Sequence, residues 1–171
     1  YKYKLRLLPI LVLTPIAIPE ILMGLSLLVF FVTLNFTLGY VSITLAHIAF
    51  CVGFVAIVVR ARLQGMDESL VEAARDLGAT PIEAFRSITL PLIMPGIIAG
   101  ALMAFTLSID DFVITYFTAG AGATTLPLQI YSMLKIAVTP EVNAISSLLM
   151  LLTLVLIFIA SKVAPDAFKS E

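Results

Sequence analysis

The chain is poor in charge, cysteine and histidine, and each scarcity excludes a class of protein. Only 12% of its 171 residues are charged and the formal net charge is −1, so the sequence lacks the basic field that attracts nucleic acid. Its one cysteine excludes an intramolecular disulfide framework, and this cysteine with the one histidine supplies too few ligands for a zinc site. The sequence also has no phosphate-cradling glycine loop, so we do not expect this chain to bind ATP itself.

Apolar residues make up most of what is present. They account for 61% of the chain and raise the mean hydropathy to +1.12, which is typical of a membrane protein. A helix needs about 20 apolar residues to cross a bilayer. Four stretches qualify, at about residues 7–34, 41–59, 92–117 and 144–160. Prolines interrupt the first stretch at Pro15 and Pro19 and the third at Pro95, so we expect breaks or kinks there.

The basic residues predict how these spans are oriented. With four crossings, nine of the ten Lys and Arg residues fall on one side of the membrane, and only Lys135 falls on the other. Positively charged loops stay cytoplasmic. Both termini and the loop between the second and third spans are therefore predicted to be cytoplasmic.

That loop, residues 66–91, carries the signals of two short helices. Asp67 is placed to cap the first helix, and Gly78 can adopt the left-handed conformation that ends it. Thr80 and Glu83 have the spacing of a capping box at the start of the second helix. Pro91 is predicted to disrupt or end that second helix. The sequence thus predicts a helix–turn–helix knob in water.

The loop on the opposite side, residues 120–142, contains a second amphipathic pattern. Alternating apolar and polar residues at 126–138 suit a short helix at the membrane interface, ended by Thr139 and Pro140. An external gate and a packed surface helix are both consistent with this pattern.

Three acidic residues fall within the apolar stretches, namely Glu20, Asp110 and Asp111. A carboxylate at membrane depth costs roughly 2.5 to 3.5 kcal/mol, so it usually faces a partner or a water-filled path. We expect no basic residue in any span to neutralise them, which suggests that positive charge arrives as cargo. His47 is expected to hydrogen-bond another helix, and Ser108 is expected to lack the nearby base that a nucleophile needs.

The knob resembles the EAA loop of ABC importer permeases. The matching pattern is Glu72-Ala73-Ala74, three residues, Gly78, nine residues, then Ile88-x-Leu90-Pro91. Four further segments are similar to spermidine/putrescine importer permeases of the PotC type, namely Tyr1-Lys2-Tyr3-Lys4, Pro19-Glu20, residues 105–111 and residues 126–135. This second resemblance covers nearly the whole chain.

The resemblance implies an all-α membrane protein with the type I ABC importer transmembrane fold (MetI-like). Residues 1–171 would form one permease domain with about four of the usual six transmembrane helices, and residues 66–91 would be its cytoplasmic coupling loop. The coupling residues would be Glu72, Ala73, Ala74, Asp76, Gly78, Leu90 and Pro91. Because permeases of this family usually have six spans, we expect that two further spans precede residue 1.

The resemblance also implies the partners and the cargo. They are a cytoplasmic ABC ATPase dimer that binds ATP and Mg, a second permease subunit, an extracytoplasmic solute-binding protein, the lipid bilayer and a polyamine. This chain would hold no cofactor and catalyse no reaction. Two alternatives stay open: a permease for another small solute, since the coupling motif serves importers of many cargoes, and a structural or regulatory membrane subunit that does not transport.

Overall fold

A computed structural model describes residue 10 and residues 12–163, which are helical for most of their length. We label the helices α1 to α8. Their bounds are α1 Glu20–Thr33, α2 Tyr40–Gln64, α3 Ser69–Asp76, α4 Pro81–Ala84, α5 Leu90–Asp110, α6 Val113–Thr118, α7 Leu126–Leu134 and α8 Pro140–Val163, with a π-helical turn at Phe85–Thr89 between α4 and α5. The predicted all-α fold is confirmed.

Three helical segments of the described chain are long and apolar enough to cross a membrane. They are Tyr40–Gln64, Pro81–Asp110 and Pro140–Ile159. The predicted first span at 7–34 lies partly outside the described residues. Its described part is not one helix, because the chain leaves helical geometry at Ile18 and Pro19 and the apolar α1 that follows has only 14 residues. Proline lacks the N–H that a continuous helix would use there.

Pro91 and Pro95 both lie inside a segment that stays helical from Pro81 to Asp110. Pro91 does not end the second helix of the knob, but the α-helix is disrupted directly before it by the π-helical turn Phe85–Thr89, so the disruption that the sequence predicts is present. Pro95 lies within α5 and does not end it. The wider π-helical turn, with the Leu90 N–H bonded to the Phe85 carbonyl, gives the Pro91 ring room beside the preceding turn.

The predicted amphipathic helix at 126–138 is four residues shorter in the structure. It ends at Leu134 as α7, and Pro140 begins the last helix instead of ending this one. Proline suits the first turn of a helix because its missing N–H would have no intrahelical partner there. The predicted fourth span accordingly starts four residues earlier, at Pro140.

The core lies where α1, α2 and α6 meet, with partly buried side chains of α5 packed against it. Its buried apolar side chains are Met23, Phe31, Ala46, Phe50, Cys51 and Ile114. Next to this core, α5 approaches α2 closely at Gly96, where an added Cβ would lie 2.9 Å from the Arg62 Cβ. In contrast, α8 has most of its apolar surface exposed, including Leu148 and Phe158. Such a surface suits lipid or further transmembrane helices.

Gly96 provides the first testable prediction. Gly96→Ala should force α2 and α5 apart and destabilise the protein by about 1 to 3 kcal/mol, the usual cost of overpacking. The measurement is thermal unfolding of the purified protein in detergent. Gly65→Ala is the matched control, because a Cβ at Gly65 meets nothing closer than 3.9 Å. Equal melting temperatures for the two variants would contradict the close packing.

Candidate functional site

The first helix of the knob forms where its sequence predicts. Asp67 accepts a hydrogen bond from the Ser69 N–H at 3.0 Å, and its hydrogen bonds with Ser69 hold the pKa of this carboxyl below its usual value. At the other end Gly78 has φ +92°, the left-handed conformation that glycine adopts without strain. The Gly78 signal is therefore confirmed. Asp67 is not the N-cap, which is Glu68 and makes no side-chain cap hydrogen bond, but Asp67 still bonds the N–H of the first helical residue from one position earlier.

The second helix of the knob starts with the predicted capping box. The Thr80 hydroxyl accepts from the Glu83 N–H at 3.3 Å, and the Glu83 carboxylate accepts from the Thr80 N–H at 2.8 Å. These bonds occupy backbone donors that a helix start leaves without intrahelical partners. The turn between α3 and α4 is consequently stabilised by the left-handed Gly78 on one side and by the Thr80–Glu83 capping box on the other.

The knob brings several predicted coupling residues together. Glu72, Asp76 and Gly78 line one hollow of about 460 Å³ with Arg75, between α3 and the start of α4. On α3, Ala73 is exposed and Ala74 is half-buried. The remaining two predicted residues, Leu90 and Pro91, lie farther along the helix, beyond the π-helical turn. They do not line this hollow.

Sequence reasoning missed the most exposed apolar side chains of the knob. Leu77 is 90% exposed and Ile82 is 77% exposed, on either side of the Gly78 turn. Leu77 lies outside the helix, because α3 ends at Asp76. Apolar side chains grouped on a protruding polar loop indicate a protein-binding surface.

A second constellation lies where the third span stops. α5 ends at Asp110, and Asp111 is extended with ψ 124°. The Asp111 carboxylate then accepts hydrogen bonds from the Thr115 N–H at 2.8 Å and the Ile114 N–H at 3.3 Å. The helix is thus broken at the two aspartates, where we had expected it to continue, and Asp111 caps the next helix, α6.

His47 of α2 completes this constellation. Its Nε2 lies 3.2 Å from Asp111 Oδ2 and 2.8 Å from Thr115 Oγ1, and its Nδ1 lies 2.7 Å from Ser108 Oγ. The predicted helix–helix hydrogen bond of His47 is confirmed. Two other expectations are wrong: Ser108 does have a base beside it, and Asp111 has an intramembrane partner.

Ser108, His47 and Asp111 contact one another in the order of a catalytic nucleophile, base and acid. The surrounding geometry nevertheless favours a structural role. Ser108 lies within α5, so the backbone N–H groups around it serve the helix and cannot stabilise an oxyanion. The Asp111 carboxylate accepts hydrogen bonds from two backbone N–H groups and from the Thr115 hydroxyl, and it also contacts His47. We call His47, Ser108, Asp111 and Thr115 the polar clamp.

The two adjacent aspartates point to different places. Asp111 is buried in the polar clamp, whereas Asp110 is exposed and lines an open cavity of about 390 Å³. On the other side of α5, His47 and Ser108 border a separate cavity of about 480 Å³. Glu20 lies exposed at the start of α1, and the linings of these two cavities do not include it.

The apolar helices, the capped knob and the broken third span define a multi-pass membrane protein. The family model described as "Binding-protein-dependent transport system inner membrane component" matches residues 4–168. The chain belongs to this family.

Two curated relatives from Escherichia coli (strain K12) support the assignment. The putrescine transport system permease protein PotI is 47% identical over 146 residues, covering 82% of this chain and 52% of its own length. The spermidine/putrescine transport system permease protein PotC is 42% identical over 174 residues, covering 100% of this chain and 66% of its own length. The chain therefore spans about half to two thirds of the length of these relatives.

A solved structure supports the fold. An inward-facing structure of the MetNI methionine ABC transporter superposes with a TM-score of 0.69 at 22% identity, covering 90% of this chain and 70% of that chain. The similarity confirms the MetI-like transmembrane fold that the sequence predicts.

The polar clamp provides the second prediction. His47→Ala removes the partner of a buried carboxylate and should destabilise the protein by about 1 to 3 kcal/mol. Because Asp111→Ala removes the other half of the same contact, the double variant should show a coupling energy of about 0.5 to 3 kcal/mol. Thermal unfolding in detergent measures all three variants. Thr44→Ala, on an exposed face of α2, is the control, and strictly additive effects would contradict the clamp.

Proposed function

We propose that the protein is a permease subunit of an ATP-driven importer that moves polyamines across the inner membrane. Membership of the family supports the transport role. The relatives PotI and PotC, named for putrescine transport and for spermidine/putrescine transport, support putrescine or spermidine as the cargo. The knob is the observation that carries the proposal, because it offers exposed apolar side chains beside charged ones at the end of a membrane-spanning helix.

In this proposal the knob binds a cytoplasmic ABC ATPase dimer. The ATPase holds ATP and Mg and does the hydrolysis, so this chain needs neither cofactor and catalyses no reaction. Leu77 and Ile82 supply apolar contact, and Glu72 and Asp76 supply polar contact, beside the small surface of Ala73 and Ala74. A second permease subunit completes the pathway, and an extracytoplasmic solute-binding protein delivers the cargo.

The helix geometry suggests how work passes from the knob into the membrane. From Pro81 to Asp110 the chain is one helical segment of 30 residues, about 45 Å long at 1.5 Å per residue. Arg62 Nε donates to the Leu92 carbonyl at 3.3 Å and so links α2 to the start of α5. Closure of the ATPase dimer would therefore tilt α5 with the knob and switch the access of the pathway between the two sides.

The pathway residues follow from exposure and pairing. Asp110 is the strongest candidate because it lines a cavity. Glu20 is also exposed and remains a candidate farther along the pathway. Asp111 remains in the set that the sequence suggested, although its carboxylate is already engaged in the polar clamp.

The third prediction tests the orientation and the ATPase contact together. Leu77→Cys and Ile136→Cys place thiols at equally exposed positions, 90% and 89%, on opposite ends of the helices. The buried Cys51 is first replaced by alanine. We expect Leu77→Cys to cross-link to the ATPase and to resist an impermeant thiol reagent added outside intact cells. Ile136→Cys should show the reverse pattern, and the opposite result would overturn the cytoplasmic knob.

The fourth prediction tests coupling through the Gly78 turn. A Cβ at Gly78 meets nothing within 4 Å, so any effect of substitution comes from backbone strain at φ +92°. Gly78→Val should abolish uptake of radiolabelled putrescine and stimulated ATP hydrolysis by the reconstituted importer. Gly78→Asn should retain most of both, because asparagine tolerates the left-handed conformation.

Each other outcome has a clear meaning. Normal coupling in Gly78→Val would remove the turn from the mechanism. Uptake of a different solute, with no uptake of putrescine or spermidine by the wild type, would replace the cargo. An importer that binds the ATPase but transports nothing would favour the structural subunit.

A further inference from the structure

The helical segment that joins the knob to the membrane changes its hydrogen-bond register at the π-helical turn Phe85–Thr89. There the Leu90 N–H bonds to the carbonyl of Phe85, five residues back, whereas α4 before the turn and α5 after it are α-helical. The turn thus holds one residue more than an α-helix would. Because each α-helical residue turns the chain by about 100°, the side chains before the turn are rotated by that angle relative to those after it, compared with an uninterrupted α-helix.

The two sides of the π-helical turn differ in how firmly they are packed. After the turn, Arg62 Nε donates to the Leu92 carbonyl at 3.3 Å, and Ile93 is buried. At Gly96 an added Cβ would lie 2.9 Å from the Arg62 Cβ, so α5 is seated directly on α2. Before the turn, every residue of α3 is at least partly exposed, and α3 packs against α4 and the turn itself. The turn therefore sets the angle at which α5 carries the knob.

Pro91 accounts for the π-helical register. In a continuous α-helix its ring would clash with the carbonyl of Ser87, four residues back, and the wider turn avoids this clash. The Ser87 hydroxyl donates to the Glu83 carbonyl at 2.6 Å, a type of bond that also bends helices. Pro95 lies in the same span, but α5 stays α-helical around it. The change of register is therefore specific to Pro91.

The register decides which way the exposed apolar side chains of the knob point. Leu77 and Ile82 both precede the turn, at 90% and 77% exposure. A rotation of about 100° moves a side chain by about 8 Å when it lies about 5 Å from the helix axis. A knob in the α-helical register would therefore present a different face in the same place.

We propose that the π-helical turn, held open by Pro91, sets the direction in which the knob presents Leu77 and Ile82 to the ATPase. Pro91 is then a positioning residue, since it acts on the contact surface through the register of the helix. This proposal rests on the proposed function and adds to it the element that orients the coupling surface.

Three variants separate the register from the proline itself. Pro91→Ala removes the ring and lets the segment become α-helical, which rotates the knob. Pro91→Ala combined with deletion of Ser87 also removes the extra residue, so the resulting α-helix returns the knob to its original direction. Ser87 is exposed, and its deletion leaves the core intact. Pro95→Ala is the matched control, because it removes a proline from the same span without a change of register.

The direction of the knob is measured by pulsed electron paramagnetic resonance on the assembled importer in detergent. Spin labels at Leu77→Cys on the knob and Leu63→Cys on α2, both exposed, are introduced after Cys51 is replaced by alanine. Pro91→Ala should shift the mean distance between the labels by about 5 Å or more. The deletion variant and Pro95→Ala should both give the wild-type distance. An unchanged distance in Pro91→Ala would overturn the proposal.

Cross-linking from Leu77→Cys to the ATPase, together with stimulated ATP hydrolysis, measures what the direction does. Pro91→Ala should lose both, and deletion of Ser87 in addition should restore both. A merely destabilising substitution would not be rescued by removing a further residue. If Pro91→Ala moves the label but keeps the cross-link and the hydrolysis, the direction of the knob does not matter and the proposal is wrong.

The outcomes also separate this proposal from the importer role. If Leu77→Cys cross-links to the ATPase with Pro91 in place, but the deletion of Ser87 does not rescue Pro91→Ala, the positioning role is wrong and the proposed function stands. If Leu77→Cys does not cross-link even with Pro91 in place, the contact between knob and ATPase fails first. The positioning role then fails with it, whatever the label distances show.

Discussion

The hydrogen bonding of Asp111 is the constraint on which the arrangement of the helices depends. Breaking a helix within a membrane-spanning region frees backbone N–H groups that lipid cannot satisfy. Asp111 accepts two of these N–H groups at the start of α6, and His47 of α2 then partners the buried carboxylate. The Asp111 side chain thus satisfies the N–H groups of α6 and contacts His47 of α2 at the same time. This double contact fixes the positions of α2, α5 and α6 relative to each other.

This constraint also explains why the Asp110 side chain faces the cavity and not the polar clamp. Successive residues point in different directions, so orienting Asp111 into the polar clamp turns Asp110 toward the other side of α5. The same helix begins at the knob, about 45 Å away at 1.5 Å per residue over its 30 residues. One helical segment therefore joins the knob at one end to Asp110 at the other, whose carboxylate has no ion pair among the described residues.

Local signals in the sequence predicted local structure well. The left-handed Gly78 and the Thr80–Glu83 capping box involve residues at most three positions apart, and the structure confirms both. The polar clamp joins residues 64 positions apart, from His47 to Asp111, so no local pattern could reveal it. Pro91 does not end the helix, but the predicted disruption is present directly before it as the π-helical turn.

The division between the two aspartates follows from their energetics. A buried carboxylate is stable only when it is paired and hydrogen-bonded, so Asp111 cannot exchange its partners for a passing ligand without a large cost. Asp110 is exposed and lines the cavity, so its carboxylate does not need a partner to offset burial. A transport site must bind its cargo well enough to admit it and weakly enough to release it. The two aspartates therefore meet different demands, because Asp111 holds the helices together while the Asp110 side chain lines the cavity.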